Sequence, residues 1–142
     1  MSRPDEAEKR FIDGLNCAQA ILTTYGPALG LNEGLAIRLG AALGGGIGHT
    51  GGTCGAVNGG CLILSLAYAS ADKAGPRKTP IDMAKRFIDL FEKEKGSVDC
   101  IDLLGCSIRT EDELARAREG GVFRARCPQL VRAAAEILEG LL

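Results

Sequence analysis

The stretch GGGIGHTGGTCGAVNGGC, residues 44–61, joins a glycine-rich loop to an apolar segment that extends to residue 71. Seven of the first twelve residues of this stretch are glycine, so its backbone can adopt conformations closed to other residues and can approach a neighbour closely. Residues 54–71 are apolar on nearly every side, which is typical of a buried helix. Gly52, Ala56 and Gly60 recur every four positions, and this spacing would let a second helix pack closely against the segment. The pattern predicts a central core helix that begins where the glycine loop, residues 44–54, ends.

The region around this helix is also free of charge, which raises the alternative of a membrane span. No Asp, Glu, Lys or Arg occurs between Leu39 and Ala71. Asn58, Ser65, Ser70 and several glycines dilute the apolar run, however, and a span needs about 20 predominantly apolar residues. A core helix is therefore favoured, and the protein is not expected to cross a membrane.

Helical periodicity and capping signals predict further helices on both sides of the central one. They are residues 5–25, a helix that follows the cap Asn32 and runs into the glycine loop, residues 81–95, a short helix between Ser97 and Gly105, a capping-box helix over 110–118, and a last helix that begins at Cys127-Pro128. No run shows the period-two alternation of a strand. We therefore predict an all-α fold: one helical domain over residues 1–142, with five or six helices around a buried helix at about 54–71.

Composition and charge exclude some classes of function. The formal net charge is -1 and no dense Lys/Arg run occurs, so nucleic-acid binding is not expected. The first residues, MSRPDEAEKRF, lack the apolar core of a signal peptide, which predicts a cytoplasmic protein. Small helical bundles often dimerise, so a homo-oligomer is an open alternative.

The six cysteines are the strongest functional signal, because structural disulfides are rare in a reducing compartment and thiols there usually serve metal or redox chemistry. Cys54 lies at the predicted start of the central helix, where unpaired N–H groups and the helix dipole favour a thiolate and lower the thiol pKa. Cys100 lies in the first turn after the cap Ser97, and Cys127 directly precedes Pro128 at a predicted helix start. Three cysteines are therefore predicted at helix N-termini.

The other cysteines and the only histidine are assigned less specific roles. Cys17 is predicted in the middle of the first helix, with Gly14 one turn before it leaving space beside the sulfur. Cys61 and Cys106 are candidates for plain packing or for backup thiols. His49 lies in the glycine loop, where it could act as a base toward Cys54 or as a ligand, or could simply be solvated.

The glycine loop itself has two other interpretations. It could only turn a tight corner between packed helices. A phosphate site is disfavoured, because the loop follows a helix and contains no G-K-[ST] sequence. The cysteine spacing contains no C-x-x-C pair, so the usual zinc-ribbon and thioredoxin signatures are absent.

Four segments together resemble a known family, C_GCAxxG_C_C, whose members are described as redox-active proteins. These segments are NCAQAIL at Cys17, GGGIGHTGGTCGAVNGG around Cys54, GSVDCIDLLG around Cys100 and CPQLVRAAAEIL from Cys127. The central motif, C-G-A-x-x-G, spans Cys54 to Gly59. The resemblance implies a small bacterial or archaeal protein with four characteristic cysteines, here Cys17, Cys54, Cys100 and Cys127, often encoded near transporter genes.

Two functions follow as the main expectations. The first is a cytoplasmic thiol redox protein, with enzymatic thiol–disulfide oxidoreductase activity as an open question, in which Cys54 is the nucleophile and Cys17, Cys100 or Cys127 resolves it. Its partners would be a thiol or disulfide substrate and, from the resemblance, a membrane transporter system. The second is a metal-binding module in which Cys17, Cys54, Cys100 and Cys127 hold zinc or an iron–sulfur cluster. A third interpretation is a helical interaction protein whose cysteines only pack.

Overall fold

The computed structural model describes residues 1–142 and is built from α-helices joined by turns. One isolated antiparallel bridge, between Thr53 and Asp99, is the only β pairing. The all-α prediction is confirmed, with eight helices. They are α1 (Arg3–Ile12), α2 (Cys17–Tyr25), α3 (Glu33–Gly40), α4 (Gly55–Tyr68), α5 (Lys78–Lys95), α6 (Cys100–Leu104), α7 (Glu111–Glu119) and α8 (Val122–Leu141), with a short 3₁₀ turn at Pro27–Leu29.

The N-terminal segment contains two helices, so the prediction of one helix over 5–25 was wrong. The chain breaks at Gly14, whose φ of +123° is readily adopted only by glycine. Asn16 then caps α2: its side chain accepts a hydrogen bond from the N–H of Gln19, and the Gln19 side chain accepts one from the N–H of Asn16. The apolar periodicity continues across the break and conceals it. Cys17 is consequently the first residue of α2 and does not lie in the middle of a helix.

The central helix lies where the sequence predicts it, as α4, although it ends at Tyr68 and not at residue 71. It packs against α2, α5 and α8. Two glycines of α4 face α2: a methyl group on Gly55 would lie 3.2 Å from Cβ of Cys17, and one on Gly59 would lie 3.1 Å from Cβ of Ile21. The missing side chains therefore let the two helix backbones approach closely.

The predicted stripe of small residues is only partly correct. Gly52 lies in the glycine loop and not on the helix. Gly60 is approached by a ring and not by a helix backbone, because a methyl group on it would lie 2.4 Å from Cζ of Phe87 in α5. No helix of the structure is both long and apolar enough to cross a lipid bilayer.

The capping predictions on both sides of α4 are largely confirmed. Asn32 caps α3, its Oδ1 accepting a hydrogen bond from the N–H of Leu35 at 2.8 Å. Thr110 and Glu113 form the predicted capping box at the start of α7. Ser97 is not the N-cap residue that we predicted: it lies two residues before Asp99, which directly precedes α6.

The last helix begins five residues earlier than predicted. α8 starts at Val122 after Gly121, whose φ is +68°, and it carries Pro128 inside the helix. The side chains of Val122 and Phe123 pack against the core, which favours helix in the turns before the proline. Cys127 therefore lies within α8, and the prediction that it occupies a helix N-terminus was wrong.

The helices enclose one cluster of 28 buried residues that includes four of the cysteines. Polar contacts join the first two helices to the last helix. The hydroxyl of Tyr25 donates a hydrogen bond to the carbonyl of Ala135 at 3.0 Å. Arg132 on α8 pairs with Asp5 and with Glu8, both on α1.

Replacing glycines of the helices with alanine tests the close packing around α4. Gly60→Ala is expected to lower the free energy of unfolding by about 1–3 kcal/mol, because its methyl group would displace the buried Phe87 ring. The matched control is Gly140→Ala in α8, where a methyl group meets nothing within 4 Å and helix propensity predicts a small gain in stability. Urea unfolding measures both variants. Equal stability of the two would contradict the packing described here.

Candidate functional site

A cavity of about 330 Å³ lies at the junction of the glycine loop with six helices, α1, α2, α4, α6, α7 and α8. Four cysteines line it, and they are the four singled out from the sequence: Cys17, Cys54, Cys100 and Cys127. The remaining lining residues are Phe11, Asn16, Gly44, Gly45, His49, Gly55, Leu103, Leu104, Arg118, Phe123 and Leu130. The fold therefore brings together thiols that are far apart in the sequence. We call this space the cysteine cavity.

The thiols lie at the inner end of the cysteine cavity. The four cysteines are only 3–9% exposed, whereas His49 is half-buried and Arg118 is exposed. These two polar residues therefore mark its solvent side. No Asp or Glu lines the cavity, and Arg118 is its only residue with a fixed charge.

Cys54 is held in place by backbone hydrogen bonds between the glycine loop and the start of α6. The N–H of Cys54 donates to the carbonyl of Val98 at 2.7 Å, and the N–H of Cys100 donates to the carbonyl of Gly52 at 2.6 Å. A third bond runs from the N–H of Ile101 to the carbonyl of Gly51, at 3.0 Å. These bonds place Cys54 directly before α4 and Cys100 at the first residue of α6.

The glycine loop turns in the left-handed sense. Five consecutive residues, Gly45 to His49, have φ between +59° and +73°. Ile47 and His49 are the two that are not glycine, and a left-handed conformation costs such residues about 1–2 kcal/mol each. A methyl group on Gly46 would lie 2.8 Å from Cβ of Cys100, so the loop also needs glycine there to accommodate α6. The loop thus turns the predicted tight corner between helices and also packs closely against Cys100.

The remaining two cysteines of the cavity reach it from other helices. Cys17, the first residue of α2, lies beside Gly55 at the start of α4. Cys127 enters from the second turn of α8. Cys61 and Cys106 do not line the cavity; both are half-buried and pack against the core, in keeping with the packing role considered for them.

Comparison with known families shows the family of the chain. Residues 15–141 match the family described as "Putative redox-active protein (C_GCAxxG_C_C)". The chain belongs to the C_GCAxxG_C_C family. No curated protein and no solved structure matches the chain. The family description supports redox activity, and the cysteine cavity of this C_GCAxxG_C_C protein contains four of its six thiols.

The electrostatics of the cavity distinguish Cys54 from its neighbours. The pKa of Cys54 is lowered, mainly because the Cys17 thiol donates toward its sulfur and, to a smaller extent, because the backbone N–H groups of Ala56 and Val57 face it. Burial acts in the opposite direction. The predicted lowering is therefore found, but the helix N-terminus is only its secondary cause. The Cys54 side chain forms no regular N-cap hydrogen bond.

The pKa of Cys17 is shifted in the opposite direction. Its pKa is raised well above that of an ordinary thiol, first by its contact with Cys127, then by its contact with Cys54, and further by burial. Burial, together with charge on the other cysteines, raises the pKa of Cys100 to about 12. Cys17 therefore remains a protonated thiol, and Cys54 ionises more readily than Cys17 or Cys100.

The cavity residues do not fit a metal centre as they are arranged. No group of three or more His, Cys, Asp or Glu side chains lies in a position to hold a metal ion. The four cysteines that we expected to hold zinc or an iron–sulfur cluster do share one cavity, but no three of them form a group that could hold a metal ion. Metal ligation by these residues is not confirmed.

Two residues that contribute to the site were not singled out from the sequence. Asn16 caps α2 and donates a hydrogen bond from Nδ2 to the carbonyl of Gly40 at 2.9 Å, which fixes the start of α2 beside the glycine loop. The capping-box spacing of Asn16 and Gln19 was a signal that could have revealed this start. Arg118 belongs to the predicted capping-box helix over 110–118, and only the folded chain shows that it reaches the cavity.

The influence of Cys17 on Cys54 predicts a shift in pH dependence. A thiol reacts with iodoacetamide as its thiolate, so the alkylation rate of Cys54 should rise with pH and then level off. The rate of Cys61 should level off at a higher pH, because burial raises the pKa of Cys61. In Cys17→Ala the donor is lost, and the Cys54 profile should move to higher pH. Rates at each cysteine are read by peptide mass spectrometry. An unchanged Cys54 profile in Cys17→Ala would contradict the proposed stabilisation by Cys17.

Proposed function

We propose that this protein is a thiol redox protein in which Cys54 and Cys17 interconvert between a dithiol and a disulfide. The observation that carries the proposal is the placement of both cysteines in the cysteine cavity, where Cys17 lies beside Gly55, the residue that follows Cys54. The lowered pKa of Cys54 and the raised pKa of Cys17 suit the roles of attacking thiolate and protonated thiol. The family description as redox-active supports the same chemistry. A reducing compartment such as the cytoplasm suits a site that works as free thiols, and all six cysteines are free in the structure.

The two cysteines suit the two halves of a thiol–disulfide cycle. Cys54 attacks as the thiolate and forms a covalent bond to the electrophilic atom of the substrate, whose leaving group departs with the electron pair. Cys17 then loses its proton and attacks the Cys54 sulfur, which closes the disulfide and releases the bound part of the substrate. Each cycle removes two electrons from the cysteines and delivers them to the substrate.

The choice of Cys17 as resolving residue rests on contacts. Cys17 lies beside Gly55, the residue that follows Cys54, and both cysteines line the cysteine cavity. Hydrogen bonding from Cys17 is also the main cause of the lowered pKa of Cys54. We therefore assign Cys17 as the resolving partner of Cys54.

Disulfide mapping tests this assignment. Anaerobically purified protein, treated with the small neutral thiol oxidant diamide, is expected to lose about 2 Da as one bridge closes, and a peptide linking Cys17 to Cys54 should appear. Cys54→Ser should abolish that peptide, as should Cys17→Ser. Cys61→Ser is the matched control, since Cys61 lies on α4 outside the cavity and its loss should leave the bridge unaffected.

Two outcomes would overturn the proposal. A bridge that never includes Cys54 would remove its role as nucleophile. A native mass raised by zinc or by an iron–sulfur cluster that is lost in Cys54→Ser would instead establish the metal-binding function. The first outcome is read from the peptide map of the oxidised protein, and the second from the native intact mass.

A further inference from the structure

We propose that the cysteine cavity takes small hydroperoxides with an apolar body and reduces them to the corresponding alcohols. This inference rests on the proposed function, because it uses Cys54 and Cys17 in the same roles. It adds the chemical class of the substrate, which is derived from the size, access and lining of the cavity.

Access limits the substrate to a small molecule. Exchange with a disulfide requires the attacking sulfur to reach the substrate sulfur directly, and the Cys54 side chain is only 3% exposed. A disulfide on the surface of a folded protein cannot approach it without rearrangement of the glycine loop or of the helices. A cavity of about 330 Å³ lies at the lower end of the range for small-molecule sites, which is about 300–1,000 Å³.

The lining selects against multiply charged substrates. Most of the side chains around the thiols are apolar: Phe11, Leu103, Leu104, Phe123 and Leu130. Arg118 is the only fixed charge, and it lies on the exposed side. A small disulfide with several charges, such as oxidised glutathione, would lose hydration in this space without gaining matching partners. A neutral oxidant whose body is a short hydrocarbon fits both the volume and the walls.

A small hydroperoxide with an apolar body meets these requirements, and the two thiols supply the electrons and the proton for its reduction. The Cys54 thiolate attacks the terminal oxygen of ROOH, the O–O bond breaks, and the leaving RO⁻ takes the proton of the Cys17 thiol to give ROH. Cys54 is then a sulfenic acid, and Cys17 is a thiolate in contact with it. Attack of Cys17 on the Cys54 sulfur forms the disulfide and releases hydroxide. Two electrons leave the two sulfurs and reduce the O–O bond, and a small dithiol that enters the cavity restores the reduced form.

Parallel oxidations of the reduced wild-type protein test the substrate class. Formation of the Cys17–Cys54 disulfide with tert-butyl hydroperoxide should be about tenfold or more faster than with oxidised glutathione at equal concentration. It should also be about tenfold or more faster than oxidation of Cys61 in the same chain. Dithiothreitol should restore the dithiol, and insulin disulfides should not be reduced. Cys54→Ser should remove the fast reaction with tert-butyl hydroperoxide, and Cys61→Ser should retain it.

Oxidation with diamide separates the failure of this inference from the failure of the proposed function. If diamide closes the Cys17–Cys54 bridge but tert-butyl hydroperoxide reacts no faster at Cys54 than at Cys61, the substrate class is wrong and the dithiol function stands. Faster oxidation by glutathione disulfide, or reduction of insulin, would also overturn the inference. If diamide closes no bridge, both proposals fail.

Discussion

The close approach of α2 to α4 depends on Gly55 and Gly59, two glycines that leave room for the backbone and Cβ atoms of the neighbouring helix. A methyl group on Gly55 would lie 3.0 Å from the carbonyl oxygen of Leu43 and 3.2 Å from both Cβ of Cys17 and the backbone nitrogen of Ala18, so these neighbours would have to shift. This contact aligns the starts of two helices, so that the first residue of α2 and the residue before α4 present their thiols to one cavity. The C-G-A-x-x-G motif therefore combines a reactive group with the packing that brings its partner near.

The glycine loop adds a second constraint on the same site. Its left-handed turn contains Ile47 and His49 in a conformation that costs free energy, and strain of this kind persists only where the surroundings fix it. The hydrogen bonds from residues 51–54 to residues 98–101 provide that fixation and tie the loop to α6. The loop thereby fixes the positions of Cys54 and Cys100 relative to each other, and it places His49 at the solvent side of the cavity.

Sequence periodicity predicted the helical class and the position of α4, because a helix buried on all sides has no polar face and contrasts with its surroundings. It did not reveal the break at Gly14, since the apolar stripe continues through it, nor the start of α8, since Pro128 is tolerated inside the helix. The four cysteines were identified from their local sequences. Their mutual contacts depend on helix packing between distant segments, which spacing alone does not encode, so the pairing of Cys54 with Cys17 required the folded chain.

The most direct test of the central claim is a crystal structure of the protein after oxidation with diamide. The account predicts continuous electron density between Sγ of Cys17 and Sγ of Cys54, with α2 and α4 still packed at Gly55 and Gly59, because the reduced fold already brings both cysteines to one cavity. A bond between other cysteines, or a Cys17–Cys54 bond formed only after α2 has separated from α4, would contradict it.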